Sequence, residues 1–287
     1  MTDSPSVIPH FEHLAPLAAN YRAIACDVWG VVHNGETPYH PAVEALVRYR
    51  ETGGKVLLLT NAPRPAASVI AQLDRIGVSP EAYDGVVTSG DVTRELLGNY
   101  SGRPIYHIGP YERDRALLDG LGLELTGPDD AGAMICTGPF DDEVETPEDY
   151  RESFARLSRR GLPMICANPD LVVDRGGKRI YCAGALAKAY EAAGGQVIYA
   201  GKPYAPVYEL TLKYFSQRLE HRLKARDILA IGDGLNTDVK GAITAGWDTL
   251  FITGGIHAKE ARDETALRRL FKGFARLPVG WQHELVW

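Results

Sequence analysis

The sequence predicts an α/β fold, a Rossmann-like parallel sheet covered by helices. Three observations carry that prediction: short apolar runs recur along the chain, each closes near Gly, Asp or Asn, and longer amphipathic stretches separate them. Near-continuous apolar strands are what a sheet buried on both faces requires. The clearest strands are expected at 23–26, 56–59, 197–200, 228–231 and 249–252. Between them, Pro41 opens a helix that stops at Thr52-Gly53, and a second helix runs over about 65–76 and stops at Gly77. A third begins at Thr146-Pro147-Glu148-Asp149, where an N-cap hydroxyl, a first-turn proline and an N3 carboxylate precede an amphipathic run ending at Gly161.

A length of 287 residues suits one large or two ordinary domains, and motif spacing favours two. Thr60 and Lys202, both read below as serving one site, are separated by roughly a hundred residues more than the about 30 that a strand-helix-strand unit needs. The surplus has strand-like runs of its own at 105–108, 134–136 and 164–167. It is expected to form a smaller α/β cap over 83–195, inserted into a core made of 1–82 and 196–287.

Composition bounds the function. With 45% hydrophobic and 24% charged residues the chain sits at the globular average, which argues against a disordered, collagen-like or coiled-coil protein. A net charge of -6, with no Lys/Arg run longer than a pair, lacks the footprint of a nucleic-acid binder. The N-terminal residues have neither a basic nor an apolar leader segment, and no apolar run approaches the roughly 18 residues of a membrane helix, so a cytoplasmic protein is expected. Cys26, Cys136, Cys166 and Cys182 are too far apart for a disulfide scaffold or a paired zinc site and read as buried thiols.

Four segments place polar groups at the carboxyl ends of expected strands, where open parallel sheets bind ligands. In Cys26-Asp27-Val28-Trp29-Gly30, a carboxylate follows an apolar run and can serve as nucleophile, metal ligand or simple turn cap. In Leu59-Thr60-Asn61-Ala62, a hydroxyl and an amide can bind phosphate oxygens, although Thr60 also reads as a plain N-cap. Gly201-Lys202-Pro203 presents an ammonium in a tight turn; with Pro203 where Ser or Thr belongs, it is a poor match to a nucleotide P-loop. Gly232-Asp233-Gly234-Leu235-Asn236-Thr237-Asp238 brings two carboxylates and an amide to a helix start, a donor set suited to Mg²⁺.

In this order and at these strand ends, the segments resemble the haloacid dehalogenase (HAD) superfamily. The insertion between Thr60 and Lys202, the Leu-Thr-Asn-Ala start of the second segment and the Gly-Asp-Gly-Leu-Asn-Thr-Asp form of the fourth are similar to its class IIA, NagD-like group. Asn168-Pro169-Asp170 is similar to that group's cap. The resemblance spans roughly 22–256 and implies a Mg²⁺-dependent phosphatase of a small phosphorylated metabolite, such as a sugar phosphate, with a homodimer as a further implication. It gives Asp27 the roles of nucleophile and metal ligand, Thr60 a phosphoryl oxygen, Lys202 charge balance, and Asp233 and Asp238 the metal. Asn61, Asn168 and Asp170 become substrate-side residues.

One position departs from the family pattern. Phosphatases of the superfamily have a second Asp two residues after the nucleophile, where this chain has Trp29. Its backbone carbonyl remains available to a metal, but indole cannot act as a general acid-base, a loss of about a hundred- to ten-thousand-fold in rate. Three readings follow: a phosphatase whose leaving group needs little protonation or whose acid lies elsewhere, with His33 nearest in sequence; a non-catalytic phospho-ligand binder; or a carbon-halogen hydrolase. Arg175-Gly176-Gly177-Lys178-Arg179 reads as a hairpin turn, and Trp281 and Trp287 are expected to pack rather than face water.

Overall fold

The computed structural model describes residues 8–175, 178–219, 223–261 and 263–287. The strands among them are β1 (Ala23–Asp27), β2 (Lys55–Thr60), β3 (Gly85–Thr88), β4 (Ile105–Ile108), β5 (Ala133–Cys136), β6 (Pro163–Cys166), β7 (Val172–Arg175), β8 (Lys178–Tyr181), β9 (Gln196–Tyr199), β10 (Ile228–Gly232), β11 (Asp248–Ile252) and β12 (Gly280–Gln282). Six build one sheet in the order β12-β11-β10-β1-β2-β3, four build a second in the order β4-β5-β6-β9, and β7 and β8 pair with each other. The mixed α/β class read from the sequence holds.

The chain divides into two compact units. The first comprises Met1–Thr60, Ile70–Val87 and Tyr208–Trp287; the second comprises Asn61–Val69 and Thr88–Val207. These bounds differ from the expected core of 1–82 and 196–287 and cap of 83–195 at three places, the first being Asn61–Val69, which groups with the second unit. The run at 197–200 is a strand as expected, but β9 pairs in parallel with β6 and therefore belongs to the second sheet, taking Lys202 with it. Conversely β3, inside the expected insertion, lies at the edge of the first sheet beside β2.

In the first unit, β1 is completely buried and pairs in parallel with β10 on one side and β2 on the other. From β1 the chain continues to β2, whereas from β10 it continues to β11. The carboxyl ends of β1 and β10 thus flank a topological switch point, the crevice in which open α/β sheets bind ligands. The helix His40–Glu51 starts with Pro41 in its first turn, and Ala66–Ile76 supplies the next, as the sequence indicates. Past the expected limit of the motifs, β12 pairs in parallel with β11, and Trp281 within it lies 4.3 Å from the His10 ring.

In the second unit, Phe154 sits between Tyr150 and Tyr190 at the centre of an apolar cluster that also contains Met134, Cys136 and Met164. Thr146 and Asp149 close a reciprocal capping box, but the turn they start, Pro147–Tyr150, is 3₁₀, and the α-helix itself is Arg151–Arg159. The hairpin read around Gly176-Gly177 is present as the antiparallel pair β7 and β8; the two glycines lie outside the described residues. All four cysteines are buried and free, and burial pushes the Cys136 thiol up to about 12.

One ionic cluster ties β2 to the segment before β3. The Asp84 carboxylate, 9% exposed, accepts from Arg50 Nε at 3.0 Å, Arg50 Nη2 at 2.9 Å, Lys55 Nζ at 3.2 Å and the Val56 N–H at 2.8 Å. Burial alone raises a carboxyl pKa, but these donors outweigh it and hold Asp84 below the ordinary carboxylate range. Its stabilising contribution is therefore complete above about pH 4 and is lost as pH falls through the lowered folded value. Asp84→Asn is expected to destabilise the protein by about 1–3 kcal/mol at pH 7, with the difference from wild type shrinking below about pH 4 in urea unfolding.

Candidate active site

Asp27 ends β1, and Asp233 follows the last residue of β10, so the two carboxylates meet at the switch point of the first sheet. Asp238 comes from the turn Leu235–Val239, a π-helical turn that leads into the α-helix Lys240–Thr244. One ligand oxygen from each of the three lies within 4.8 Å of the others, and all three residues are buried. Asp27 is 7% exposed. Two unit charges at that separation repel by about 3–4 kcal/mol at an effective dielectric of 20.

Backbone and glycines hold the cluster. Asp233 Oδ2 accepts from the Ile256 N–H at 2.8 Å, and Asp238 Oδ2 accepts from the Gly234 N–H at 3.0 Å and the Thr237 hydroxyl at 3.2 Å. A Cβ on Gly255 would come 1.8 Å from Asp233 Oδ2, and one on Gly30 would come 2.3 Å from it. Gly30 also has φ +85, which favours glycine. A Cβ on Gly232 would likewise meet Asp238 Cγ at 2.3 Å. Sequence reasoning missed Gly255 and the Ile256 amide; the Gly254-Gly255 pair directly after an apolar strand is the signal that could have found them.

Thr60, the last residue of β2, is buried in the first unit. Trp29 is 51% exposed, with its ring edge-on to His33 at 5.4 Å between centroids. His33 is not a loop side chain open to solvent: it is buried, and its Nδ1 accepts from the Gly35 N–H at 2.8 Å.

The other expected site residues meet in the second unit. Asn61 clasps the backbone of Lys202 from both sides, accepting from its N–H at 2.7 Å and donating to its carbonyl at 3.1 Å. The same amide donates to Asp170 Oδ1 at 2.9 Å, while Asn168 Oδ1 accepts from the Asp170 N–H at 3.0 Å. Asn61, Asn168 and Asp170, expected on the substrate side, are thus linked in one largely buried bracket around the Lys202 turn. Gly201 is necessary to it, since a Cβ there would lie 2.4 Å from Asn61 Oδ1 and 2.8 Å from Pro169 Cδ.

Buried carboxylates at a sheet switch point, in a chain that also has a second α/β unit, are the arrangement of a hydrolase-type α/β protein with its polar centre in the first unit. Residues 24–124 match the family model for haloacid dehalogenase-like hydrolases, and residues 199–272 match a second, HAD-hydrolase-like model. The crystal structure of a haloacid dehalogenase-like hydrolase from Brucella suis is 48% identical and superposes with a TM-score of 0.84 over 96% of this chain and 100% of that one. The acid sugar phosphatase of Staphylococcus saprophyticus is 24% identical over 84% of this chain and 90% of its own length. The ribonucleotide monophosphatase NagD of Escherichia coli is 26% identical over 86% and 93%. The chain belongs to the haloacid dehalogenase-like hydrolases, in their class IIA, NagD-like group.

Removing the Asn61 amide leaves a buried N–H and C=O of Lys202 without that partner. Asn61→Ala is expected to lower stability by about 1–3 kcal/mol per unpaired group, read as a reduced midpoint in urea unfolding.

Proposed function

We propose that the protein is a Mg²⁺-dependent phosphatase of small phosphorylated metabolites that works through a phospho-aspartate on Asp27. The observation that carries this reading is the convergence of Asp27, Asp233 and Asp238 at the switch point of the first sheet. The donors are hard oxygens, and the two glycines against Asp233 let backbone close around it, so the residues fit a hard divalent cation. Asp27, Asp233, Asp238 and the Trp29 carbonyl would hold it, and when bound it would offset the negative charge of the transferring phosphoryl group.

The chain's own residues have the following parts. Asp27, at the carboxyl end of the buried strand β1, attacks phosphorus. The Thr60 hydroxyl donates to a phosphoryl oxygen, in keeping with catalysis of phosphoryl transfer mainly by positioning and electrostatics. Lys202 enters through the family resemblance, as the cation that balances the phosphoryl charge. The second unit is read as the cap that selects substrate. Relatives named as acting on sugar phosphates and ribonucleotides support small phosphomonoesters as the class to test. Among the described residues no helix is long and apolar enough to cross a membrane, and such substrates require none.

The test is a screen of phosphomonoesters in Mg²⁺ or EDTA with native protein and Asp27→Asn. Mg²⁺-dependent turnover is expected in the native protein, with a loss of at least about a thousandfold in the variant, whose carboxamide is no nucleophile. Equal silence of both proteins, with a ligand-induced rise in melting temperature, would instead assign a phospho-ligand binder.

A further inference from the structure

Trp29 stands two residues after Asp27, and its neighbour Gly30 abuts Asp233. The backbone of this loop therefore runs beside the carboxylate cluster, and the Trp29 side chain is half-exposed. It is held from behind. A Cβ on Gly35 would come 2.3 Å from the ring, Gly35 takes φ +98, and the His33 ring braces the indole edge-on. Trp29 and His33 form a β-bridge, and the Gly30 N–H donates to the His33 carbonyl at 2.9 Å. A loop this closely tied presents a fixed, flat, half-exposed apolar surface. Indole offers a donor and no titratable proton, and His33 lies buried with its Nδ1 accepting from Gly35.

We infer that this site selects phosphoryl compounds whose leaving group departs as a stable planar anion, namely aryl, enol or acyl phosphates, stacked on Trp29. The inference rests on Asp27 being the phosphoryl acceptor. In the first step an Asp27 carboxylate oxygen bonds to phosphorus as the bond from phosphorus to the leaving oxygen breaks. The electron pair stays on that oxygen, which leaves as the anion with no proton supplied. Water then attacks phosphorus, the bond to Asp27 breaks, phosphate departs and the proton of water goes to solvent. An alkoxide is too basic to leave in this way, and general acid catalysis that would remedy it is worth about 10²–10⁴-fold. A phenolate, enolate or carboxylate leaves unaided, and offset stacking on indole adds about two- to tenfold in affinity.

The experiment compares wild type, Asp27→Asn, Trp29→Phe, Trp29→Ala and Trp29→Asp in Mg²⁺ on phenyl phosphates of graded leaving-group pKa, acetyl phosphate and glycerol phosphate. In wild type, kcat/KM is expected to fall steeply with leaving-group pKa, placing glycerol phosphate at least about a hundredfold below nitrophenyl phosphate. Trp29→Asp should narrow that gap by about 10²–10⁴-fold, and Trp29→Ala should raise KM for the aryl esters without narrowing it. A binding readout stands apart from turnover: para-nitrobenzylphosphonate, which has no transferable group, should quench indole emission in wild type and lose that component in Trp29→Phe. Glycerol phosphate turned over as fast as the aryl esters, through Asp27, overturns the inference and leaves the phosphatase reading standing. Turnover undiminished in Asp27→Asn, or none on any ester in wild type, overturns both.

Discussion

Like charge at close range is the constraint around which the first unit is arranged. Asp27, Asp233 and Asp238 are buried within 4.8 Å of one another, and repulsion of a few kcal/mol per pair is comparable with a large part of a domain's stability. The fold brings them together because β1 and β10 are neighbours whose chains leave in opposite directions, so that both carboxyl ends open into one crevice. It keeps them there by aiming the amides of Gly234 and Ile256 at Asp238 and Asp233, and by placing glycine wherever a side chain would push the carboxylates apart.

The second unit is organised around a different problem, the orientation of one turn. Asn61 satisfies both backbone groups of Lys202 and reaches Asp170, so a single amide fixes the carboxyl end of β9 to the segment after β6. Three side chains that look like ligand contacts in the sequence are hydrogen-bonded to the protein itself. A further buried polar group, in which His107, Asp114 and Thr137 meet, braces the ends of β4 and β5 in the same manner. Burial raises the Asp114 pKa, yet donation from His107 and Thr137, with the Arg113 charge, leaves it below the ordinary carboxylate range.

Much of this was legible in the sequence, and the failures have physical reasons. An apolar run closing on a polar or Gly-containing segment marks a buried strand with a polar mouth, so β1, β2, β10 and β11, and the carboxylates of Asp27 and Asp233, could be read from local pattern alone. The strand at 197–200 was equally visible, but a four-residue apolar run carries no information about which neighbour it pairs with, and β9 joined the other sheet. The edge strand β3, four residues long, is not among the expected strands, because so short a run gives little local signal. The bond of Asn61 to Lys202, 141 residues away, is invisible to local pattern, because a strand-end amide looks alike whatever it meets. The contacts of Gly30 and Gly255 with Asp233 are also long-range. His33 is only the nearest candidate acid in sequence; its burial and its bond from the Gly35 N–H depend on packing that the sequence does not display.

The account depends on the carboxylate cluster being a cation site, and the most direct measurement is calorimetric titration of Mg²⁺ into wild type, Asp233→Asn and Gly255→Ala. The account predicts one ion bound per chain in wild type, binding weakened at least about tenfold in Asp233→Asn, and a similar loss in Gly255→Ala, where the new methyl displaces the carboxylate without removing it. Wild type that takes up no Mg²⁺, or that binds it as well without the Asp233 charge as with it, would contradict the claim.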